Sequence, residues 1–522
     1  MLFGPRSSRR SLLRCWGAVA GTLAVAPLLA ACGGSVSSTA STAAPATQSS
    51  VAPSSTASVS AAQSSAIQSS VVSTSSAAAT PATAAPATTT AAASASVSGA
   101  SAAASAPKGV TNIRYTTFWP QYRLDILKQA LTVWDQQNPS IKVAIETPTG
   151  DYRAKLLTDM SAGSTQDAFQ IDVWTAAKYF DTGQMMELSS NFKRDNIDLK
   201  RDYGLIGLEF WCGKQYVVPY VLSPHAWYYN KTMLKEYGAK DPWDDLNGAW
   251  TWADMVDIGQ KVTTEQNKGG RPQWGYRLDY NSLEYQLSPF IQSNGGHVYD
   301  IQAGKYTLDT QPAIDAIQFV IDLVNKYKVI PTFDQRTKLG SNVTAPFGQG
   351  FTAMEEDSTG RILLNNQIVK GDFEWDIAPV PIAKAGMQSI SHFDGDPNCV
   401  YAHTKYPDEA YQFAKFLGGP VTQGVLSQNK LLLPALYSAA NDPNDFLKPP
   451  PNHLKVFADV ARVNGISSFY QGNGLQATKV FTDTLNQIVA GKLTVPDGAR
   501  QMNQIANSQV QLGDCRQFLP HG

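Results

Sequence analysis

Acidic and aromatic side chains occur close together at several points of the sequence, and this combination suits the binding of a polyhydroxylated solute. Asp172 lies two residues before Trp174, and Trp274 lies five residues before Asp279. A sugar ring has apolar C–H faces that aromatic planes can cover, and hydroxyls that carboxylates can bind through charge-assisted hydrogen bonds. Large hydrophobic cores also need aromatic residues, so the 11 Trp and 21 Tyr of the chain do not decide between binding and packing.

A second group of carboxylates could support acid–base catalysis. Glu355, Glu356 and Asp357 are consecutive, and Asp394 and Asp396 follow later in the chain. Cleavage of a polysaccharide needs two such groups about 5 to 10 Å apart across a cleft. Because no known hydrolase motif surrounds these residues, we expect that the protein is not an enzyme. An extracellular polysaccharide-cleaving enzyme is the less favoured alternative.

The histidines and cysteines indicate no metal or redox chemistry. The 6 histidines are scattered without an HExxH motif, and the 5 cysteines include no CxxC pair. We therefore predict neither a metal site nor a cofactor. After removal of an export signal, Cys212, Cys399 and Cys515 would share an oxidising compartment, where one disulfide with a buried thiol and no disulfide at all both fit the spacing.

The elements that would position the first group of side chains form a βαβ pattern. Strands are predicted for Ile113 to Phe118 and for Ile141 to Thr147, with an amphipathic helix between them. A third short strand covers Ala168 to Asp172. In open α/β sheets ligands bind beyond the carboxyl ends of the strands, which points to Phe118-Trp119 and to the stretch from Asp172 to Trp174.

The stretch from Gly213 to Leu234 predicts a passage of the chain between two lobes. Gln215 to Val221 and Ala226 to Tyr229 have the composition of two strands, and Pro219 and Tyr220 lie within the first. Proline has no backbone N–H, so it fits a crossing between two sheets better than a central ladder. Two further crossings are predicted at proline-containing stretches, Asp376 to Pro381 and Leu431 to Pro434.

Two local patterns lie further along the chain. Thr251 with Asp254 three residues later predicts a capping box that opens a helix ending at Val262. The segment from His392 to Asp396 is interpreted as an acidic turn.

The N-terminal residues have the features of an export signal followed by a flexible tether. A basic segment precedes an apolar run that ends in Leu29-Ala30-Ala31-Cys32, which resembles the lipobox of bacterial lipoproteins. Residues 1–31 would be the signal peptide, with a twin-arginine-like motif at Ser8 to Leu13, and Cys32 would carry the lipid. Residues 33–107 contain no charged or aromatic residue, so we predict a disordered linker over residues 32–107 that spans about 50 Å.

The charge balance argues against nucleic acid as a partner. The formal net charge is −1, and the arginines of the signal are the only charges before Lys108, which leaves about −5 for the rest of the chain. A mildly acidic surface without a long basic run lacks the electrostatic footprint of a nucleic-acid-binding protein.

A series of segments, taken in chain order, resembles the extracellular solute-binding proteins of ABC importers, in the sugar-binding branch that includes maltose-binding protein. The segments are FWPQYRLDILKQALTVWDQQNPSIKV, GKQYVVPYVLSPHAWYYNKTML, DAIQFVIDLVNKYKVIP, GQGFTAM and EAYQFAKFLGGPVTQ. The resemblance covers nearly all of residues 110–522. It implies a two-lobe α/β periplasmic-binding-protein fold, class II-like, with a three-crossing hinge and a ligand cleft between the lobes. It implies binding of a sugar, delivery to a membrane permease and no catalysis.

The resemblance also implies a set of ligand contacts by position. In the first lobe they are Trp119, Gln121, Tyr122, Asp172 and Trp174, with Tyr220 at the hinge and Asp394 and Asp396 on its rim. In the second lobe they are Trp274, Asp357, Ser358, Phe469 and Tyr470. Relatives often carry an aromatic residue after GxxAM, where this chain has Asp357-Ser358-Thr359-Gly360, and this difference favours a polar clamp on that side.

The predicted organisation assigns residues 108–220 and 381–431 to the first lobe and residues 221–380 and 432–522 to the second. The expected protein is a monomer, held by its lipid at the extracytoplasmic face of the cell membrane, with permease subunits of an ABC importer as partners. The alternative with the same fold is a non-sugar solute, such as a polyamine, a metal chelate or a phosphorylated compound. A sensor that binds without transport is a further alternative.

Overall fold

The computed structural model describes residues 109–172, 176, 179–180, 182–204, 210–211, 213–300, 303–338, 345–467 and 474–509. No helix in these ranges is both long and apolar enough to cross a membrane. Some predicted features lie outside the described residues, namely the signal, the linker, Cys32, Trp174, Cys212, Phe469, Tyr470 and Cys515. Cys399 is a buried free thiol.

The described ranges contain short strands and helices in alternation. The strands are β1 (Thr111–Thr116), β2 (Ile141–Glu146), β3 (Ala168–Gln170), β4 (Phe210–Trp211), β5 (Lys214–Gln215), β6 (Val218–Asn230), β7 (Trp274–Arg277), β8 (Tyr299–Asp300), β9 (Lys305–Tyr306), β10 (Thr352–Ser358), β11 (Trp375–Ala378), β12 (Ser391–Val400), β13 (Leu433–Pro434) and β14 (Gly465–Ser467). The α-helices are α1 (Gln121–Gln137), α2 (Tyr152–Ser161), α3 (Ser189–Arg194), α4 (Leu199–Asp202), α5 (Lys231–Glu236), α6 (Trp252–Val262), α7 (Ser288–Ser293), α8 (Gln311–Asn325), α9 (Phe333–Lys338), α10 (Ala345–Gly348), α11 (Arg361–Val369), α12 (Pro407–Gly418), α13 (Pro420–Gln428), α14 (Tyr437–Ala440), α15 (Lys455–Asp459), α16 (Gly474–Val489) and α17 (Val495–Gln509). Two π-helical turns cover Leu283–Leu287 and Val460–Asn464.

The predicted βαβ unit is confirmed. β1 pairs in parallel with β2 and β3, and helix α1 connects β1 to β2. The helix buries Leu127, Ala130 and Trp134 on one face, at the spacing expected of an amphipathic helix that covers a sheet. The capping box of α6 is also confirmed, because Thr251 and Asp254 each accept a hydrogen bond from the other's backbone N–H, and α6 ends at Val262.

Strand β6 corrects the prediction of two separate strands in its region. It runs without interruption for 13 residues and includes both Pro219 and Pro224. Its partners change along its length: β12 and β13 pair with its first half, and β10 and β11 with its second half. Pro219 is accommodated because the register with β12 shifts between Asp396 and Asn398, so the ladder is already irregular opposite the proline.

The segment from His392 to Asp396 is also different from the prediction. It lies inside strand β12 and is not a turn. β12 pairs with β3 on one side and with β6 on the other, both in antiparallel orientation. The central sheet therefore has the order β2-β1-β3-β12-β6-β10-β7, in which β12 and β6 join the N-terminal strands to β10 and β7.

Two hydrophobic cores flank this central region. The first is built mainly by residues from Ile113 to Leu222 and from Cys399 to Ala461. The second is built mainly by residues from Trp227 to Val380 and from Phe481 to Ala506. β6 contributes to both, because successive side chains of a strand point to opposite faces: Tyr228 packs in the first core and Trp227 and Tyr229 pack in the second.

The last part of the chain is divided differently from the predicted assignment of residues 432–522 to the second lobe. Leu433, Phe446 and Phe457 pack in the first core, and the second core gains residues only from Phe481 onward in this segment. The physical reason is the pairing of β13 with β6, where Leu433 lies opposite Leu222 and holds the chain against the first core.

Gly275 of β7 and Gly259 of α6 allow a close helix–strand approach that can be tested. A Cβ atom on Gly275 would lie 2.6 Å from the Gly259 Cα, a backbone atom that cannot move aside. We expect Gly275→Ala to lower the free energy of unfolding by about 1–3 kcal/mol, the usual range for overpacking. The midpoint of urea unfolding measures this change.

The matched control is Gly424→Ala in helix α13, where an added Cβ meets no atom within 4 Å. That variant should be stabilised by about 0.5–1 kcal/mol, because alanine favours a helix interior over glycine. Equal midpoints for the two variants would contradict the close approach.

Candidate functional site

Three carboxylates converge where strands of the first core meet the central strand β12. Asp172 follows β3, and Asp394 and Asp396 lie on β12. We call these three residues the carboxylate cluster. The Arg153 Nε of helix α2 donates a hydrogen bond of 2.7 Å to Asp172 Oδ2, so the charge of Asp172 is paired with a cation. The sequence-predicted contacts Asp172, Asp394 and Asp396 are therefore brought together.

The pKa of Asp396 is strongly raised. Burial, followed by the negative charges of Asp172 and Asp394, raises its pKa to about 8, although the cations Arg123 and Arg153 act in the opposite direction. The side chain is half-buried, and no hydrogen bond to its carboxylate is found within the described part of the chain. A solute that donates a hydrogen bond would stabilise this carboxylate.

The second core also reaches the carboxylate cluster. Tyr285 lies in the π-helical turn between Leu283 and Leu287, which both pack in the second core. The pKa of Tyr285 is well above its usual value because of burial and because Asp394 and Asp172 are close. The cluster is thus bounded by groups from both cores, as expected for a site between two lobes.

Trp119 and Tyr220 pack against each other, and Tyr220 is close enough to Asp396 to feel its charge. Their rings stack with a centroid distance of 4.9 Å and an angle of 22°, and both side chains are buried. The Arg123 guanidinium lies 5.8 Å from the centre of the Trp119 ring. Since the two rings cover each other, they offer a solute less ring face than the sequence prediction assumed.

Tyr122 is at the edge of this region. It belongs to the first turn of α1, its side chain is 38% exposed, and its hydroxyl accepts a hydrogen bond of 3.2 Å from Arg123 Nε. Gln121 begins the same helix and bonds Asp125 at 2.9 Å. Of these two predicted contacts, Tyr122 presents the accessible aromatic ring.

Asp357 and Ser358 end strand β10 in a network of internal bonds. Arg361 Nε donates to Asp357 Oδ2 at 2.6 Å, and Arg277 lies 3.5 Å from the same oxygen. Burial would raise the pKa of Asp357, but the charges of Arg361 and Arg277 outweigh burial and lower it. Ser358 accepts a hydrogen bond of 2.7 Å from the Tyr228 hydroxyl at its carbonyl. Asp357 and Ser358, two of the predicted contacts, are therefore both bonded to other groups of the protein.

Trp274 does not lie near Asp357 and Ser358. It begins β7 opposite Thr352, which starts the neighbouring parallel strand β10. Asp357 lies five residues further along β10, which corresponds to about 16 Å at the rise of a strand. The residues of β7 that reach the Asp357 end are Arg277 and, just beyond the strand, Asp279.

A group of histidines beside the carboxylate cluster was not predicted from the sequence. His225 of β6 and His392 of β12 have ring centroids 5.3 Å apart, and the Tyr285 ring stacks on His225 at 5.7 Å. His225 Nδ1 is 2.8 Å from Glu356 Oε1. The available signal was the alternation of His392 with Asp394, which places both on one face of a strand once the segment is recognised as β12.

Comparison with known proteins identifies the family. Residues 119–424 match the family model described as bacterial extracellular solute-binding protein. The chain belongs to this family. The solute-binding protein is 26% identical to the arabinooligosaccharide-binding protein of Halalkalibacterium halodurans, over 42% of its own length and 48% of that relative. The match therefore spans about half of this curated relative.

Solved structures agree with the fold of the solute-binding protein. An ABC substrate-binding protein from Listeria monocytogenes in complex with cycloalternan has a TM-score of 0.65 and 20% identity, over 76% of this chain and 98% of that one. UgpB from Mycobacterium tuberculosis in complex with glycerophosphocholine has a TM-score of 0.65 and 17% identity, over 77% and 98%. The predicted two-lobe α/β fold is confirmed. The family and these structures are binding proteins and not enzymes.

The raised pKa of Asp396 predicts a pH-dependent stability. In the unfolded chain this carboxyl titrates near its ordinary value of 3.8, and in the folded solute-binding protein near 8. Between these values the folded form binds more protons, so ionisation of Asp396 lowers the stability as the pH rises. Asp396→Asn removes this effect. We expect the Tm of the variant to rise relative to the Tm of the wild type as the pH is raised from about 5 to about 8.5.

The control is Asp135→Asn, which removes the same charge from a side chain that is 58% exposed. Its Tm difference should stay nearly constant over this pH range. A constant difference for Asp396→Asn as well would show that the Asp396 carboxyl is not perturbed.

Proposed function

We propose that the chain captures a sugar or oligosaccharide between its two lobes and delivers it to the permease of an ABC importer. The observation that carries this proposal is the carboxylate cluster, which lies beyond the end of β3 and on β12, beside the stacked Trp119–Tyr220 pair. Carboxylates that accept hydrogen bonds from hydroxyls, placed next to aromatic rings, suit a carbohydrate. The similarity to an arabinooligosaccharide-binding protein and to a substrate-binding protein in complex with cycloalternan supports the same class of solute.

Capture would work by closure of the lobes around the solute. β6 and β12 run through the region between the two cores, so they would act as hinge strands. The solute would contact Asp396 in one lobe and Tyr285 in the other. It would make both contacts, and so reach its full affinity, only in the closed form. Its differential affinity for the two forms would drive closure, and no bond of the solute is broken.

The proposal places the protein at the extracytoplasmic face of the membrane. Membership in the extracellular solute-binding family supports an extracytoplasmic location. The lipobox-like Leu29-Ala30-Ala31-Cys32 supports anchoring through lipid on Cys32 after removal of residues 1–31. The uncharged segment over residues 33–107 would let the binding lobes reach the permease from this anchor.

A cationic solute is the second candidate. Asp172, Asp394 and Asp396 carry three negative charges when ionised, and the cations acting on Asp396 are Arg123 and Arg153. A polyamine or another amine-bearing compound would relieve the remaining repulsion. The fold itself accommodates solutes other than sugars, since one of the matched structures is a complex with glycerophosphocholine.

A thermal-shift screen of the full chain in detergent tests the proposal. The panel contains monosaccharides, oligosaccharides of increasing length, polyamines and glycerophosphodiesters. A solute present at one hundred times its Kd adds about 2.7 kcal/mol to the stability of the folded form and raises Tm. A raised Tm with an oligosaccharide supports the proposal, a raised Tm with polyamines alone selects the second candidate, and release of reducing ends from a polysaccharide would indicate an enzyme instead.

Variants then locate the site for the solute that binds. At about pH 9, above the pKa of Asp396 of about 8, the carboxyl is ionised, and Asp396→Asn should there weaken binding by about 10- to 100-fold, because a hydrogen bond to a charged group contributes about 1.5–3 kcal/mol. Trp174→Ala should weaken it by more than twofold. The exposed-site variant Asp135→Asn serves as control and should bind like the wild type. If Asp396→Asn and Asp135→Asn bind equally well by titration calorimetry, the solute does not use the carboxylate cluster.

A further inference from the structure

Two hinge strands present two imidazoles and one carboxylate on the same face. Phe393 of β12 lies opposite Pro224 of β6, and continuing this register by one residue places His392 opposite His225. Residues that face each other in an antiparallel pair share a face of the sheet, and so do residues two apart on one strand. His225, His392 and Asp394 therefore lie together, and we call them the histidine cluster.

The geometry of the histidine cluster fits a metal ion. One nitrogen of each imidazole and one carboxylate oxygen lie within 4.8 Å of one another, and all three side chains are buried. His392 Nε2 is 3.0 Å from Asp394 Oδ1. Ligand atoms about 2.0–2.2 Å from a tetrahedral ion are roughly 3.3 Å apart, so small side-chain rotations would bring the three ligands into place.

Glu356 supplies the carboxylate that metal-binding histidines usually contact through their second nitrogen. Glu356 Oε1 lies 2.8 Å from His225 Nδ1, which leaves His225 Nε2 as the nitrogen for a ligand bond. In this arrangement Nδ1 carries the proton and donates a hydrogen bond to Glu356. The carboxylate thereby fixes both the tautomer and the orientation of the imidazole ring. The Tyr285 ring, stacked on His225 at 5.7 Å, also restricts the imidazole.

We propose that the histidine cluster binds one divalent transition-metal ion of the Zn²⁺ type. His225, His392 and Asp394 would be the protein ligands, and water or a solute oxygen would occupy the remaining position. Two imidazoles with one carboxylate are a ligand set that suits Zn²⁺ better than Ca²⁺ or Mg²⁺, which prefer oxygen ligands. The ion would join β6 to β12 at the hinge, so it would stabilise the folded form. This site differs from the prediction from sequence, which found no metal-binding motif.

Zn²⁺ binding to the full chain in detergent tests the proposal directly. After treatment with EDTA and its removal, titration calorimetry should show one Zn²⁺ bound per chain, and Zn²⁺ should raise Tm. His392→Gln and Asp394→Asn should each weaken binding by about 10- to 100-fold or more, as expected when a ligand or its support is lost. Glu356→Gln should weaken binding by about 10- to 100-fold.

His297→Gln is the matched control, because His297 is exposed and outside the cluster. It should bind Zn²⁺ like the wild type. Far-UV circular dichroism and the metal-free Tm show whether each variant folds, and Asp394→Asn keeps the side-chain shape if His392→Gln does not fold. The readout is metal binding, so the result does not depend on which solute the protein captures.

The absorption spectrum of the Co²⁺-loaded chain gives a second measurement. Four-coordinate ligation by nitrogen and oxygen produces visible bands without a thiolate charge-transfer band, and these visible bands should disappear in His392→Gln and Asp394→Asn. The proposal is overturned if no stoichiometric Zn²⁺ binds, if the cluster variants bind like the wild type, if His297→Gln loses binding equally, or if thiolate charge transfer shows that cysteines hold the ion.

Discussion

Backbone pairing along β6 is the constraint on which the rest of the structure depends. A buried strand must satisfy its N–H and C=O groups along its whole length, and β6 does so for 13 residues by changing partners. β12 and β13 pair with the first half of β6, which packs with the first core. β10 and β11 pair with the second half, whose alternating side chains reach both cores. The lobes are thus joined by hydrogen-bonded strands, and the candidate site lies where these partners change.

Buried charge is distributed unevenly around this region. Asp357 is held by Arg361 and Arg277, and Asp172 by Arg153, so their negative charges are compensated inside the protein. At Asp396, burial together with the negative charges of Asp172 and Asp394 outweighs the cations Arg123 and Arg153, and raises the pKa to about 8. Ionisation of Asp396 as the pH rises toward and above 8 lowers the stability of the empty protein, and a bound solute that donates hydrogen bonds would recover part of that energy.

Parts of this fold follow from short-range patterns. The period of apolar residues identifies α1 and its flanking strands, and the spacing of Thr251 and Asp254 identifies the start of α6. These predictions succeed because a helix turn or a cap involves only neighbours in sequence. The interruption suggested by Pro219 was misleading, because an irregularity of the β6–β12 register at Pro219 and Tyr220 accommodates it within β6. The distance of Trp274 from Asp357 follows from the parallel register of β7 and β10, which local patterns do not contain.

The sequence by itself determined the family, the two-lobe α/β class and the first βαβ unit, and it singled out Asp172, Asp394 and Asp396, which the structure brings close together. Only the tertiary structure decided that Trp119 and Tyr220 cover each other, that residues from Leu433 to Ala461 stay with the first core, and that His225 meets His392. Composition and periodicity report which face of an element is buried. They carry no information on strand register, and register is what brings residues from distant segments within bonding distance.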